Sequence, residues 1–144
     1  MVRSSMIKTQ RAFSLVEMMV VLVIIGILVS LSFPAYQQYR IRTHRVDVQA
    51  HMMNIALRLE EYRSIHHNYG DASLSALGFA AHYPEQGKAD YQLKLDIESG
   101  AWLLSAIPLQ NAGQYGDGNV VMNHLGQRCW QAGQGCIPNA SSAW

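Results

Sequence analysis

One carboxylate, Glu17, stands at the mouth of an otherwise apolar run, and no residue from Met18 to Tyr39 carries a charge. An unpaired acid in hydrocarbon is costly, because its charge loses its hydration. Two settings relieve that cost: the headgroup level of a bilayer, or a positive charge from another chain. The nearest source of such a charge is a free α-amino group, created if the chain is cut just before Phe13. Cys129 and Cys136 enclose six residues, which rules out a CxxC zinc or redox motif. They read as a disulfide closing a C-terminal loop outside the cytoplasm, with two free thiols as the alternative. The six histidines (44, 51, 66, 67, 82, 124) show no HExxH or His-x3-His spacing on a helix face, and only His66 and His67 adjoin. Metal binding and a cofactor are therefore not expected. Tyr115-Gly116-Asp117-Gly118-Asn119 has a faint likeness to a calcium loop, but Gly-Asp-Gly-Asn is more often a tight turn. No Ser-His-Asp or paired-carboxylate arrangement stands out by spacing, so the chemistry points to assembly rather than catalysis.

These residues need elements to position them. The stretch Phe13–Phe33 contains a single charge and, at about 1.5 Å per helical residue, spans a hydrocarbon layer of about 30 Å. A buried helix of a soluble domain would normally keep a polar face over so many turns. A cleaved secretory signal fits the basic Arg3, Lys8 and Arg11, but the run is longer than usual and Pro34-Ala35-Tyr36 makes a poor cleavage site. A single membrane span is the reading. Arg40, Arg42 and Arg45 follow the run, so flanking charge does not orient it. Overall composition says less. With net charge +1 and charged residues at 15% of the 144, the chain lacks the basic excess of a dedicated nucleic-acid binder and the charge of a disordered tail.

Arg11-Ala12-Phe13-Ser14-Leu15-Val16-Glu17, leading directly into the apolar helix, resembles the class III signal of type IV pilins and pseudopilins. Gly26 and Pro34 within the helix, then Tyr36, Tyr39 and the basic stretch Arg40–Arg45, extend the likeness, which is strongest over residues 6–65. The resemblance implies cleavage between Ala12 and Phe13 by a prepilin peptidase that also N-methylates Phe13, and a registering role for Glu17 in a filament. The family usually has Gly where this chain has Ala12, the next smallest side chain. A start at Met6 rather than Met1 would leave the leader Met6–Ala12, of typical length. Loss of residues 1–12 removes three basic side chains and leaves eight basic against ten acidic, a net of −2. The sequon Asn139-Ala140-Ser141 carries little weight in such a chain.

Beyond the span, Pro34 is expected to bend or loosen the helix near Ser30. Val48, Met52, Ile55, Leu59 and Tyr62 then fall in steps of 4, 3, 4 and 3, one stripe of a helix. A single helix from about Ser14 to Ile65 is expected, its outer half packing on a head. Residues 70–90 read as a connecting loop with a short turn at Ser73–Leu77. Tyr91–Ile97 alternates as a strand, Glu98-Ser99-Gly100 turns, Ala101–Ile107 is a second strand stopped by Pro108, and Asn119–Leu125 a third. The fold class is α+β, a long helix on a small antiparallel sheet with a C-terminal disulfide loop, in the order of the type IV pilin fold. The expected divisions are leader 1–12, membrane and assembly half 13–39, amphipathic half 40–66 and head 67–144.

The resemblance implies a structural subunit of a bacterial type IV pilus that partners other pilins through N-terminal helices, the peptidase and the inner-membrane assembly machinery. The resemblance also implies that the subunit is held in the inner membrane with its head in the periplasm before entering the filament. Arg45–Ala50, Leu59–Arg63, Asn68–Gly70 and Gly126–Trp130 resemble type IVa minor pilins that prime assembly. A major pilin and a type II secretion pseudopilin are the alternatives. A non-polymerising membrane-anchored module, an adhesin or DNA receptor, is the alternative of another class. Twitching, adhesion, DNA uptake and secretion all lie within the resemblance.

Overall fold

The computed structural model describes residues 13–144, which divide into two compact units, one ending at Gln38 and one spanning Tyr39–Trp144. The leader and Ala12 lie outside the described residues. One helix, α1 (Leu15–His66), runs unbroken past Gly26 and Pro34. Its start and end fall within a residue of the sequence expectation. In the first unit the helix is apolar on every side, and Ser30 and Ser32 donate their hydroxyls to the carbonyls of Ile27 (2.7 Å) and Leu28 (2.8 Å). Those bonds hide the two polar groups of an apolar span on the helix's own backbone. The helix ends at His67, whose φ of 61° turns the chain left-handed. There the Asn68 side chain donates to the His66 carbonyl and accepts from Gly70 N–H.

The second unit is a helix on an antiparallel meander. Five strands follow in order β1 (His82–Tyr83), β2 (Tyr91–Glu98), β3 (Ala101–Pro108), β4 (Val120–Asn123) and β5 (Arg128–Trp130), each paired with the next. The expected stripe is the core face: Val48, Met52, Ile55 and Leu59 are fully buried against Tyr91, Leu93, Trp102, Leu104, Ala106, Val120 and Met122. Each such aliphatic side chain contributes about 1.5–3 kcal/mol by leaving water. β2 and β3 pair from Tyr91↔Pro108 to Glu98↔Ala101. Ser99 (φ 51°) and Gly100 (φ 79°) form the two-residue turn, both left-handed as a hairpin of right-twisted strands requires. Pro108 is tolerated as the last residue of β3, at a strand end rather than inside the ladder.

Two expectations need correction. The sheet has five strands rather than three, because β1 and β5 are too short to show a period of two. The third expected strand, Asn119–Leu125, is shorter and occupies Val120–Asn123. Asn123 ends it: its side-chain oxygen accepts the N–H of Leu125 (3.1 Å) and of Gln127 (3.0 Å), which turns the chain into β5.

Candidate functional site

In the first unit the chemistry-bearing residues are Phe13 and Glu17. Phe13 is 73% exposed, and Glu17 sits in the first turn of α1, exposed and without an ion pair among the described residues. The carbonyl of Ser14 accepts from Met18 N–H, so the helix starts here. A carboxylate in the first turn is favoured by the positive end of the helix dipole. The most apolar window of α1 is long enough to cross a membrane, and none of it is buried within the subunit. An all-round apolar helix with no cover from its own chain is built for lipid or for other helices.

The second unit holds its loops onto the helix with polar clamps. Arg45 donates from Nε and Nη2 to both carboxylate oxygens of Asp117, each at 2.8 Å, and its guanidinium lies 3.4 Å from the centre of the Trp130 ring. Trp130 Nε1 in turn donates to the Asp117 carbonyl at 2.9 Å. Helix, loop 111–118 and β5 are thereby joined at one point. Beside it, the buried Tyr91 hydroxyl donates to Gln114 Oε1. Burial, with Asp117 adding to it, pushes the ionisation of Tyr91 well above the usual tyrosine range, so it remains a neutral donor. One turn before Val48, His44 Nδ1 lies 2.6 Å from Asp90 Oδ2. His51 packs between the rings of Tyr83 and Phe79, at 4.6 and 5.3 Å. Burial lowers its pKa below the ordinary histidine value, and Glu85 opposes the shift.

Cys129 of β5 and Cys136 form the disulfide, with Cα atoms 6.1 Å apart. The Tyr115–Asn119 loop is a turn whose acid is already taken, since both oxygens of Asp117 serve Arg45. Gly118 is indispensable to it: at φ 98°, a Cβ there would lie 2.0 Å from the Gln131 carbonyl oxygen. By sequence Arg45 falls in the basic stretch after the apolar run, Asp117 in a tight turn and Trp130 beside Cys129. Arg45 and Asp117 are 72 residues apart, and no local pattern links them. Gly26 and Pro34 lie within α1, and the structure brings neither near Phe13 or Glu17, which are set by sequence position alone.

A long apolar N-terminal helix, a small five-stranded antiparallel sheet on its outer half and a C-terminal disulfide together define the type IV pilin fold. A family model described as "Type IV minor pilin ComP, DNA uptake sequence receptor" matches residues 34–118, and one described as "Prokaryotic N-terminal methylation motif" matches residues 7–33. The chain belongs to the ComP type IV minor pilin family, and is a minor pilin subunit. No curated protein and no solved structure matches it. The methylation motif and the apolar helix imply processing by a prepilin peptidase, membrane anchoring and then pilus assembly.

Proposed function

We propose that this minor pilin serves DNA uptake, with the unit Tyr39–Trp144 as the part that meets duplex DNA. The match over residues 34–118 to a family described as a DNA uptake sequence receptor carries this reading. The charge pattern of the head supports it. Arg45, Arg58, Arg63 and Lys94 are engaged with carboxylates, whereas Arg40, Arg42, Lys88 and Arg128 are exposed and make no ion pair among the described residues. Cations held in ion pairs release few counterions from DNA, and unpaired ones supply the binding. For a mature chain of net charge −2, such local cations must do the work. The test is fluorescence anisotropy of a labelled duplex with the mature full-length protein in detergent. Binding that weakens steeply with salt is expected, and no binding at low salt would overturn the reading.

Maturation prepares the subunit for this role. In this proposal the cut falls between Ala12 and Phe13, Phe13 is N-methylated, and residues 13–39 form the membrane and assembly half, followed by 40–66 and the head 67–144. The head faces the periplasm until the helix leaves lipid for a bundle of neighbouring helices. Apolar packing there says little about axial register, and Glu17 supplies it by meeting the Phe13 amine of an adjacent subunit, since an unpaired acid in that core is costly. Gly26 and Pro34 loosen the helix enough to settle into the bundle. Glu17→Ala is expected to insert in the membrane normally and be absent from sheared filaments; normal incorporation would show that register comes from elsewhere.

A further inference from the structure

At the end of the sheet, between the β4–β5 turn and the C-terminal segment, lies a cleft of about 480 Å3 that includes Gln127, Arg128, Asn139, Ser142 and Trp144 in its walls. None of these falls within residues 34–118, so the family match assigns them nothing. Their hydrogen-bonding capacity is one-sided. Asn123 Oδ1 accepts two backbone N–H groups, so Asn123 must donate from Nδ2 to Gln127 Oε1, at 2.7 Å. That leaves the Gln127 side-chain NH2 as a donor without an internal acceptor. Asn139 Oδ1 likewise accepts from Ser141 N (3.0 Å) and Ser141 Oγ (2.8 Å), which leaves its NH2 unengaged. Arg128 lies 5.0 Å from the Trp144 ring and makes no ion pair among the described residues, the chain-terminal carboxylate included. Trp144 is held in place by donating from Nε1 to the Val121 carbonyl at 3.3 Å. The cleft thus offers a guanidinium, two carboxamide N–H donors and an aromatic wall, with no carboxylate side chain in its lining.

We propose that this cleft is a phosphodiester-binding subsite of the head: Arg128 takes the charge of one DNA phosphate, Gln127 and Asn139 donate to its oxygens, and the Trp144 ring forms the wall beside the guanidinium. The inference rests on the DNA-uptake reading and adds a location to it. The planar fork of a guanidinium matches two phosphate oxygens at once, which the point charge of a lysine on a mobile stem does not.

The test compares mature full-length wild type, Arg128→Gln, Arg128→Lys and Lys94→Gln in detergent, by anisotropy of a labelled duplex over a range of KCl. Near-UV circular dichroism checks that each head is folded. Arg128→Gln is expected to lower affinity about 3- to 10-fold and to reduce the slope of log K against log salt by about 0.9, the share of one phosphate contact. Arg128→Lys should restore the slope while leaving affinity below wild type, and Lys94→Gln should leave the slope unchanged. If wild type binds and Arg128→Gln matches it in affinity and slope, the subsite is wrong and DNA binding lies elsewhere on the head. An equal loss in Lys94→Gln also overturns it, since the attraction is then diffuse. If wild type does not bind the duplex, both the subsite and the DNA-uptake reading fall together.

Discussion

Arg45 belongs by sequence to the basic stretch after the apolar run, yet its side chain is mostly buried in the head, 17% exposed against 6% for Asp117. A bidentate pair so placed is costly to break, because the surviving partner keeps its charge away from water. Arg45→Met is expected to destabilise the head by about 3 kcal/mol, measured by urea unfolding followed through tryptophan fluorescence. Arg58→Met, which breaks a pair exposed to about 60% on each side, should change stability by less than about 1 kcal/mol. His51 gives the head a pH dependence. Its folded-state pKa is lowered, so below the ordinary value of 6.5 the unfolded chain takes up the proton first. The contribution is complete above that value and is lost as pH falls from there through the lower folded-state pKa. The thermal midpoint should therefore drop between pH 7 and pH 5, and His51→Phe, which keeps a ring in the Tyr83–Phe79 slot, should flatten the drop.

At the scale of elements, the same helix meets two different demands. From Met18 to Phe33 it is apolar all round and keeps the hydroxyls of Ser30 and Ser32 on its own carbonyls. Its outer part is amphipathic, with Val48, Met52, Ile55 and Leu59 on one face. Met52 is fully buried, and Met52→Ala should cost about 2–5 kcal/mol by leaving a cavity beneath the sheet. Loops 111–118 and 131–135 meet backbone to backbone at Gly118. Gly118→Ala adds an atom where the Gln131 carbonyl already sits and strains a left-handed φ, so the two loops must separate. A loss of several kcal/mol, or failure to accumulate the oxidised head, is the expected outcome, read by non-reducing electrophoresis and thermal melting. The disulfide closes so short a ring that Cys129→Ser with Cys136→Ser is expected to cost only about 2.5 kcal/mol.

For the whole molecule, the methylation motif and apolar helix of the N-terminal segment imply maturation and assembly, and the proposal gives recognition to the head. Intact-mass measurement of protein purified from membranes should give a chain beginning at methylated Phe13. A mass retaining residues 1–12 would remove the Phe13 amine from the proposed register and favour a non-polymerising anchor. Under the proposal that the head meets DNA and Glu17 sets register, a chain carrying Glu17→Ala should still bind duplex DNA in detergent. Loss of both together would mean that recognition depends on the filament.

Much of this was legible in the chain alone, for a physical reason. An apolar run long enough for a bilayer, a stripe repeating every three or four residues and the strict alternation of Tyr91–Ile97 are local consequences of helix and strand geometry. The acid at Glu17 and the pair Cys129–Cys136 stand out because they are chemically unlike their surroundings. The edge strands β1 and β5 are too short to carry a period and form only because neighbouring strands offer partners. The Arg45–Asp117–Trp130 clamp, the His44–Asp90 contact, the backbone approach at Gly118 and the donor-rich cleft at Arg128 join segments far apart in sequence. Local patterns determined where the chain is helix, strand and span. Only the tertiary structure decided which cations are held by carboxylates and which stay available, because that depends on what lies across a fold rather than along a chain.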